Sequence, residues 1–397
     1  MLGQGIDGAS TMSQRSEAYN VMTTTTPKPG GLEDVVAVTS AICDVDGKQG
    51  RLLYYGFDIS DLAARSTFEE TMYLLWYGRL PTQSELDALR ADLAANRTLP
   101  PAVLRMLGEF PREAVPMEVL RTAVSLLSMY DEDDADNARE ANVRKAMRLV
   151  SRTPTVVAAL QALREGREPV APREDLGLAA NFLYMLFGQE QDETVVRAMD
   201  VALILHADHE LNASTFAARV TAATLADMYS AGVAAICALK GPLHGGANEQ
   251  VFRMLQAIGN PDRAAAYIRE QFAAGKKIMG FGHRVYRTDD PRATVLRELS
   301  RQVGEDHGDA VWHDISRQVE AAVKQEKGLY ANVDFYSAST YHVIGIPTDL
   351  FTPVFAISRM SGWTAHVLEQ YANNRLIRPR ADYTGPRDQR YAPIGER

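Results

Sequence analysis

A chain of 397 residues, 46% of them hydrophobic, can bury a large core and has room for more than one domain. Its 51 acidic against 42 basic residues leave a net charge of −9, which excludes a general attraction for nucleic acid or an anionic membrane surface, so an anionic ligand must be met by local arginines. Two cysteines in so long a chain, Cys43 and Cys237, argue against a disulfide framework and point to a reducing compartment, the cytoplasm.

Residues 1–30 lack an apolar stretch long enough for a signal peptide and are expected to be a disordered lead, with Met1, Met12 and Met22 all candidate starts. "SAICDVDGKQGRLLYYGFDI" then reads as a hairpin, two short β-prone runs joined through Asp46-Gly47. Two capping boxes are expected next, Ser66-x-x-Glu69 and Thr82-x-x-Glu85, with Gly78 and Pro81 between them. Apolar spacings of three and four predict helices over 117–130, 137–164, 192–206, 215–240, 247–258, 261–274, 310–327 and 349–371. The acidic run "DEDDAD" at 131–136 is expected to be a solvated loop. "LGLAANFLYMLFG", residues 176–188, is the most apolar segment and is too short to cross a membrane, which takes about 18 residues, so a buried helix is expected there. With no strands alternating between the helices, the fold class is all-α with one small N-terminal hairpin.

Nucleotide motifs fail on inspection. "GFGH" at 280–283 begins like a dinucleotide fingerprint, but Val285 stands where the third glycine belongs and no strand precedes it. No glycine-spaced run ends in the Gly-Lys-Ser/Thr of a phosphate loop. Histidines say more: His206, His209, His244 and His283 all lie at helix ends or glycine turns. His206 and His209 share one helical face and could open a zinc site of a hydrolase, yet the order is not His-Glu-x-x-His and no third ligand is evident. "KGPLHGGAN", residues 240–248, ends one helix at Pro242, sets His244 among glycines and starts another helix. Such a turn lets a substrate come close to the backbone and to one polarising imidazole; a plain helix-to-helix turn in a noncatalytic scaffold is the alternative. What favours chemistry is the company of "GFGHRVYRTDDPRA", with His283 and three arginines, and of "ANVDFYSA", with Asp334 at a helix start.

These segments, with "HADHELNAST" and "SRMSGWTAHVLEQ", resemble in order and spacing the motifs of citrate synthases from about Gly31 to the C-terminus, and within them 2-methylcitrate and bifunctional enzymes most of all. The resemblance implies a catalytic trio: Asp334 as base on the acyl-CoA, His244 as donor to its thioester carbonyl, and His283 as donor to the ketone of oxaloacetate. It implies substrate binding by His209, His206, Arg292 and Arg359, with Phe355 beside the acyl group and Arg378 reaching the active site of a neighbouring subunit in a homodimer. For coenzyme A it implies a phosphate contact at Arg287 and an adenine-binding turn at Ile278, Gly280 and Gly282. It implies a large helical domain of 31–246 and 345–397, a small one of 247–344 and a closing cleft between them. No metal and no tightly bound cofactor are implied, and acyl-CoA is a substrate. Ala331 stands where the family often has proline, and Ala338 where many members have glycine. Choice between acetyl-CoA and propionyl-CoA stays open, because one methylene in an apolar pocket is worth only about 1 to 3 kcal/mol.

Overall fold

The computed structural model describes Leu32, residues 35–381 and residues 383–397; the lead expected over 1–30 lies outside the described residues. All elements below belong to the unit Ser40–Arg397. Asp46 bends the chain by accepting from the Lys48 and Gln49 N–H groups with one Oδ1, each at 2.9 Å. Strand β1 (Cys43–Asp46) therefore folds back on β2 (Arg51–Tyr54), with Cys43 opposite Tyr54 and Asp46 opposite Arg51. A two-residue β3 (Phe57–Asp58) completes an antiparallel sheet of order β1-β2-β3.

Sixteen α-helices follow among the described residues, as the all-α expectation requires. Asp58 caps α1 (Ile59–Arg65), a helix not foreseen from sequence. Helix α2 (Phe68–Tyr77) has its capping box at Thr67 and Glu70, one residue later than expected. Ser66 is used instead to close α1, and Glu69 turns inward to accept from the Leu178 N–H at 2.7 Å. The box at Thr82 and Glu85 starts α3 (Gln83–Ala95) as expected. Proline at the first helical positions starts α4 (Pro101–Glu109) and α5 (Pro116–Ser128), where its missing N–H costs nothing. Helices α6 (Arg139–Arg164), α7 (Leu178–Phe187) and α8 (Glu193–His206) lie where apolar spacing puts them. The loop 131–136 departs from expectation at its first residue: Asp131 is buried, paired with Arg148 at 2.6 Å and bonded to the Tyr229 hydroxyl.

The helix expected over 215–240 is two, α9 (Ala213–Ala222) and α10 (Met228–Leu239). Leu225 breaks it by taking a left-handed φ of 65°, and Asp227 caps the second piece. Then come α11 (Ala247–Ile258), α12 (Ala264–Ala273), the unforeseen α13 (Pro291–Asp306), α14 (Val311–Lys327) and α15 (Val333–Ile344). Last is α16 (Phe351–Ala372), the axis of the core, with every residue from Phe351 to Leu368 buried. It packs against α2, α6, α8, α9 and α10, so its polar side chains must find partners inside. No helix among the described residues is long and apolar enough to cross a membrane.

Candidate active site

The first glycine turn, 241–246, is shaped by the chain itself. Gly245 donates its N–H to the Leu239 carbonyl at 2.9 Å, and a Cβ there would fall 2.5 Å from that oxygen. Glycine at 245 is thus demanded by the end of α10 rather than by an approaching ligand. The turn delivers His244 to Ser214, in the first turn of α9. The Ser214 N–H donates to His244 Nε2 at 3.3 Å, with the Ser214 hydroxyl 2.8 Å from the same nitrogen. A ring nitrogen that accepts carries no proton, so neutral His244 has its proton on Nδ1. Trp363 Nε1 of α16 donates to the Ser214 hydroxyl at 3.1 Å and holds it in place. Burial, reinforced by the Arg359 charge, lowers the His244 pKa to about 4.

The second glycine turn is tied directly to the start of α15. Gly280 and Gly282 have left-handed φ of 81° and 79°. An antiparallel bridge joins Phe281 to Ala331: the Gly282 N–H donates to the Tyr330 carbonyl and the Asn332 N–H to the Gly280 carbonyl, each at 2.9 Å. The Ala331 N–H takes no part in these bonds, so alanine serves where proline is common. Asn332 then bonds both sides, its Oδ1 capping the Asp334 N–H at 3.1 Å and its Nδ2 donating to the Gly282 carbonyl at 3.1 Å. The turn that precedes His283 and the start of α15 that carries Asp334, distant in sequence, are thereby joined.

His283 has a fixed tautomer too. Its Nδ1 accepts the N–H groups of Val285 at 3.0 Å and Tyr286 at 3.1 Å, which leaves the proton on Nε2, free to donate. Burial and then Arg292 lower its pKa to about 4. Asp334 is only half-buried as a residue, yet its Oδ1 is sealed from solvent and has no hydrogen-bond partner. Burial raises its pKa to about 7 against the opposing pull of Arg292 and Arg359.

Two of the remaining candidates, His209 and Phe355, each lie near a member of the trio. His209 lies edge-on to His283, ring centres 5.1 Å apart, with Nε2 3.3 Å from the Tyr286 hydroxyl. His206 donates from Nδ1 to the Ala202 carbonyl at 2.7 Å and sets its ring edge-on to Phe355 at 4.9 Å. Burial lowers the His206 pKa to about 3 and the His209 pKa well below the ordinary histidine value. Phe355 also faces His244 at 6.4 Å and carries the Arg359 guanidinium 4.7 Å above its ring. Arg359 Nε donates to the His206 carbonyl at 2.6 Å. Arg292 is gripped bidentately by Asp290, at 3.0 and 2.8 Å, both side chains buried. Ile278 is buried, Arg287 is exposed on the His283 loop, and Arg378 is exposed beyond α16.

Ser214, Tyr286, Asp290, Asn332 and Trp363 were missed from sequence. Two had readable signals: Asn212-x-Ser214 is a helix cap with a hydroxyl beside it, and Asp290-Pro291 marks a helix start. Among the described residues no cluster of three or more His, Cys, Asp or Glu could hold a metal ion, and His206 spends one nitrogen on backbone, so the zinc reading finds no support.

The family model described as citrate synthase, C-terminal domain, matches residues 31–380. Citrate synthase 2 of Bacillus subtilis (strain 168) is 54% identical over 92% of this chain and 98% of that protein. A 2-methylcitrate synthase of Mycobacterium tuberculosis (strain H37Rv) is 43% identical over 91% and 92%. A crystal structure of citrate synthase from Pyrobaculum aerophilum superposes with TM-score 0.87 at 44% identity, covering 95% of this chain and 99% of that one. The ternary complex of carboxymethyl coenzyme A and oxaloacetate with citrate synthase from Thermoplasma acidophilum gives TM-score 0.88 at 34% identity, covering 94% and 100%.

Proposed function

The chain belongs to the citrate synthase family and condenses an acyl-CoA with oxaloacetate; from that premise we propose that Asp334, His244 and His283 carry out the reaction. Asp334 takes a proton from the carbon next to the thioester carbonyl. A carboxylate without hydrogen-bond partners, its pKa raised to about 7, is a stronger base than an ordinary aspartate and is tuned to neutral pH. His244 donates from Nδ1 to the carbonyl oxygen where negative charge builds, a contribution worth about 3 to 4 kcal/mol when well aimed. The α-carbon then bonds to the ketone carbon of oxaloacetate as the carbonyl π bond opens, and the ketone oxygen takes the Nε2 proton of His283 to become the hydroxyl of the product. Water finally cleaves the thioester and frees coenzyme A.

Both imidazoles are neutral at pH 7, because both pKa values are lowered to about 4, and act as oriented donors rather than as cations. Arg359 brings buried positive charge for a carboxylate of oxaloacetate, and Arg292, whose Nε and Nη2 are taken by Asp290, has its Nη1 left for the other. His209 and His206 complete the oxaloacetate side, and Phe355 forms a wall for the acyl group. The observation that supports this reading is the bridge between 281 and 331, which ties the turn before His283 to the helix start that carries Asp334, whose Oδ1 is sealed from solvent. Neither the zinc hydrolase nor the scaffold reading has comparable support.

Further proposals rest on the same premise. The turn at Ile278, Gly280 and Gly282, with exposed Arg287, receives coenzyme A. Helices α11 to α15 pack largely on one another, which supports a small domain of 247–344 closing on a large one of 31–246 and 345–397; unchanged domain positions with and without oxaloacetate would count against closure. The working unit is a homodimer in the cytoplasm, with exposed Arg378 serving the neighbouring site. The test is release of free thiol from acetyl-CoA and from propionyl-CoA with oxaloacetate present. Both acyl-CoA substrates are expected to turn over, and their kcat/KM ratio reads the acyl preference. No thiol above background from either sinks the proposal.

A further inference from the structure

The loop that carries His283 is braced by the hairpin turn at the other end of the chain. Residues 47–50 lie against residues 285–289, and the Arg287 N–H donates to the Gly47 carbonyl at 2.9 Å. A Cβ on Gly47 would stand 2.7 Å from the Val285 carbonyl carbon and closer still to its oxygen. A Cβ on Gly50 would meet Thr288 Cγ2 at 2.7 Å and the Asp289 carbonyl at 2.9 Å, inside the 3.0 Å that real Cβ atoms respect. The two glycines differ in one respect. Gly50 has a left-handed φ of 65°, whereas Gly47 does not, so only the contact with the loop demands glycine at 47.

The braced residues are the ones that orient the imidazole. Val285 and Tyr286 supply the two N–H groups that keep His283 Nδ1 unprotonated, and the Tyr286 hydroxyl reaches His209. We propose that Gly47 and Gly50 are positioning residues for His283: the hairpin turn holds the 285–289 backbone where its N–H groups enforce the tautomer with the proton on Nε2. Releasing that backbone allows the proton onto Nδ1, which presents an acceptor, not a donor, to the ketone oxygen. This rests on the reading of His283 as the donor to oxaloacetate.

Gly56 supplies the control. It lies in the next turn of the same sheet with φ 85°, and a Cβ there would touch nothing within 4 Å. Gly56→Ala therefore strains the sheet without pressing on the loop. In Gly47→Ala, kcat/KM for oxaloacetate is expected to fall at least tenfold. Nitrogen-15 spectra of labelled histidine should show His283 as a mixture of tautomers, its signals assigned by their loss in His283→Gln. Gly50→Asn, which tolerates a left-handed backbone, presses on the far end of the loop and should give the same pattern if Gly47→Ala fails to fold. Gly56→Ala should keep wild-type kinetics and lose only thermal stability. Wild-type kinetics and tautomer in both loop-pressing variants, with His283→Gln inactive, overturn the bracing but leave the catalytic reading. An equal kinetic loss in Gly56→Ala also overturns it, since sheet distortion would then be the cause. Full turnover by His283→Gln removes the catalytic reading itself.

Discussion

Replacing Asp334 by asparagine should stabilise the protein, and more so as pH rises. The carboxyl titrates near 3.8 in the unfolded chain and at about 7 in the folded one, because burial disfavours its charge. The sign follows from that order. Below 3.8 both states hold the proton and nothing is lost; between the two values folding must take up a proton; above 7 the full cost of a buried carboxylate is present. At 1.36 kcal/mol per pH unit, the cost is about 1.7 kcal/mol at pH 5 and about 4 kcal/mol at pH 8. Asparagine has the same shape and no titration, so its own packing effect cancels between the two pH values. Solvent reaching the exposed side of a half-buried residue screens part of this, which makes the difference of roughly 2.5 kcal/mol a ceiling and about 1 to 2.5 kcal/mol the expected range. Urea unfolding of both proteins at fixed concentration, without substrates, at pH 5 and pH 8 gives the four free energies needed. A change between the two pH values below about 0.3 kcal/mol would refute the idea that burial holds this carboxyl neutral.

Three further outcomes are expected. The kcat/KM for acyl-CoA should rise with unit slope through about pH 7 as Asp334 ionises, with no second acid limb until pH approaches 4, where His244 and His283 charge; initial rates of thiol release from pH 4 to 9 check this. Ser214→Ala removes the hydroxyl from His244 Nε2 and leaves the Trp363 N–H without its acceptor, so kcat should drop roughly 10- to 100-fold with little change in acyl-CoA KM, read by steady-state kinetics. Asp290→Ala strands the buried Arg292 guanidinium and should destabilise the fold by about 3 to 5 kcal/mol, measured by urea unfolding.

Elements marked by local chemistry were legible in the sequence, and those set by distant partners were not. Helix α11 lies at 247–258 as expected because glycines stand just outside both its ends, and the Thr82 box carries its own signature. The break between α9 and α10 was missed because Leu225, which offers no turn signal, takes the left-handed conformation there. Asp131 looked like part of a solvated charge run because its partners Arg148 and Tyr229 are far along the chain. At the site, the residue types of the trio could be read, but the Phe281–Ala331 bridge that joins two of them leaves no periodic trace. The meaning of the glycines was only half legible: Gly245 serves the end of α10, and Gly47, read in sequence only as part of the hairpin turn, also fits the His283 loop.

Single-turnover thiol release by Asp334→Asn, set beside His244→Ala, His283→Ala and the triple variant, addresses the joint action of the three side chains most directly. Groups that work as one unit lose nearly everything on any single change, so each variant should fall close to the triple one. Losses that instead multiply from one substitution to the next, or near-normal turnover in Asp334→Asn, would contradict a shared mechanism.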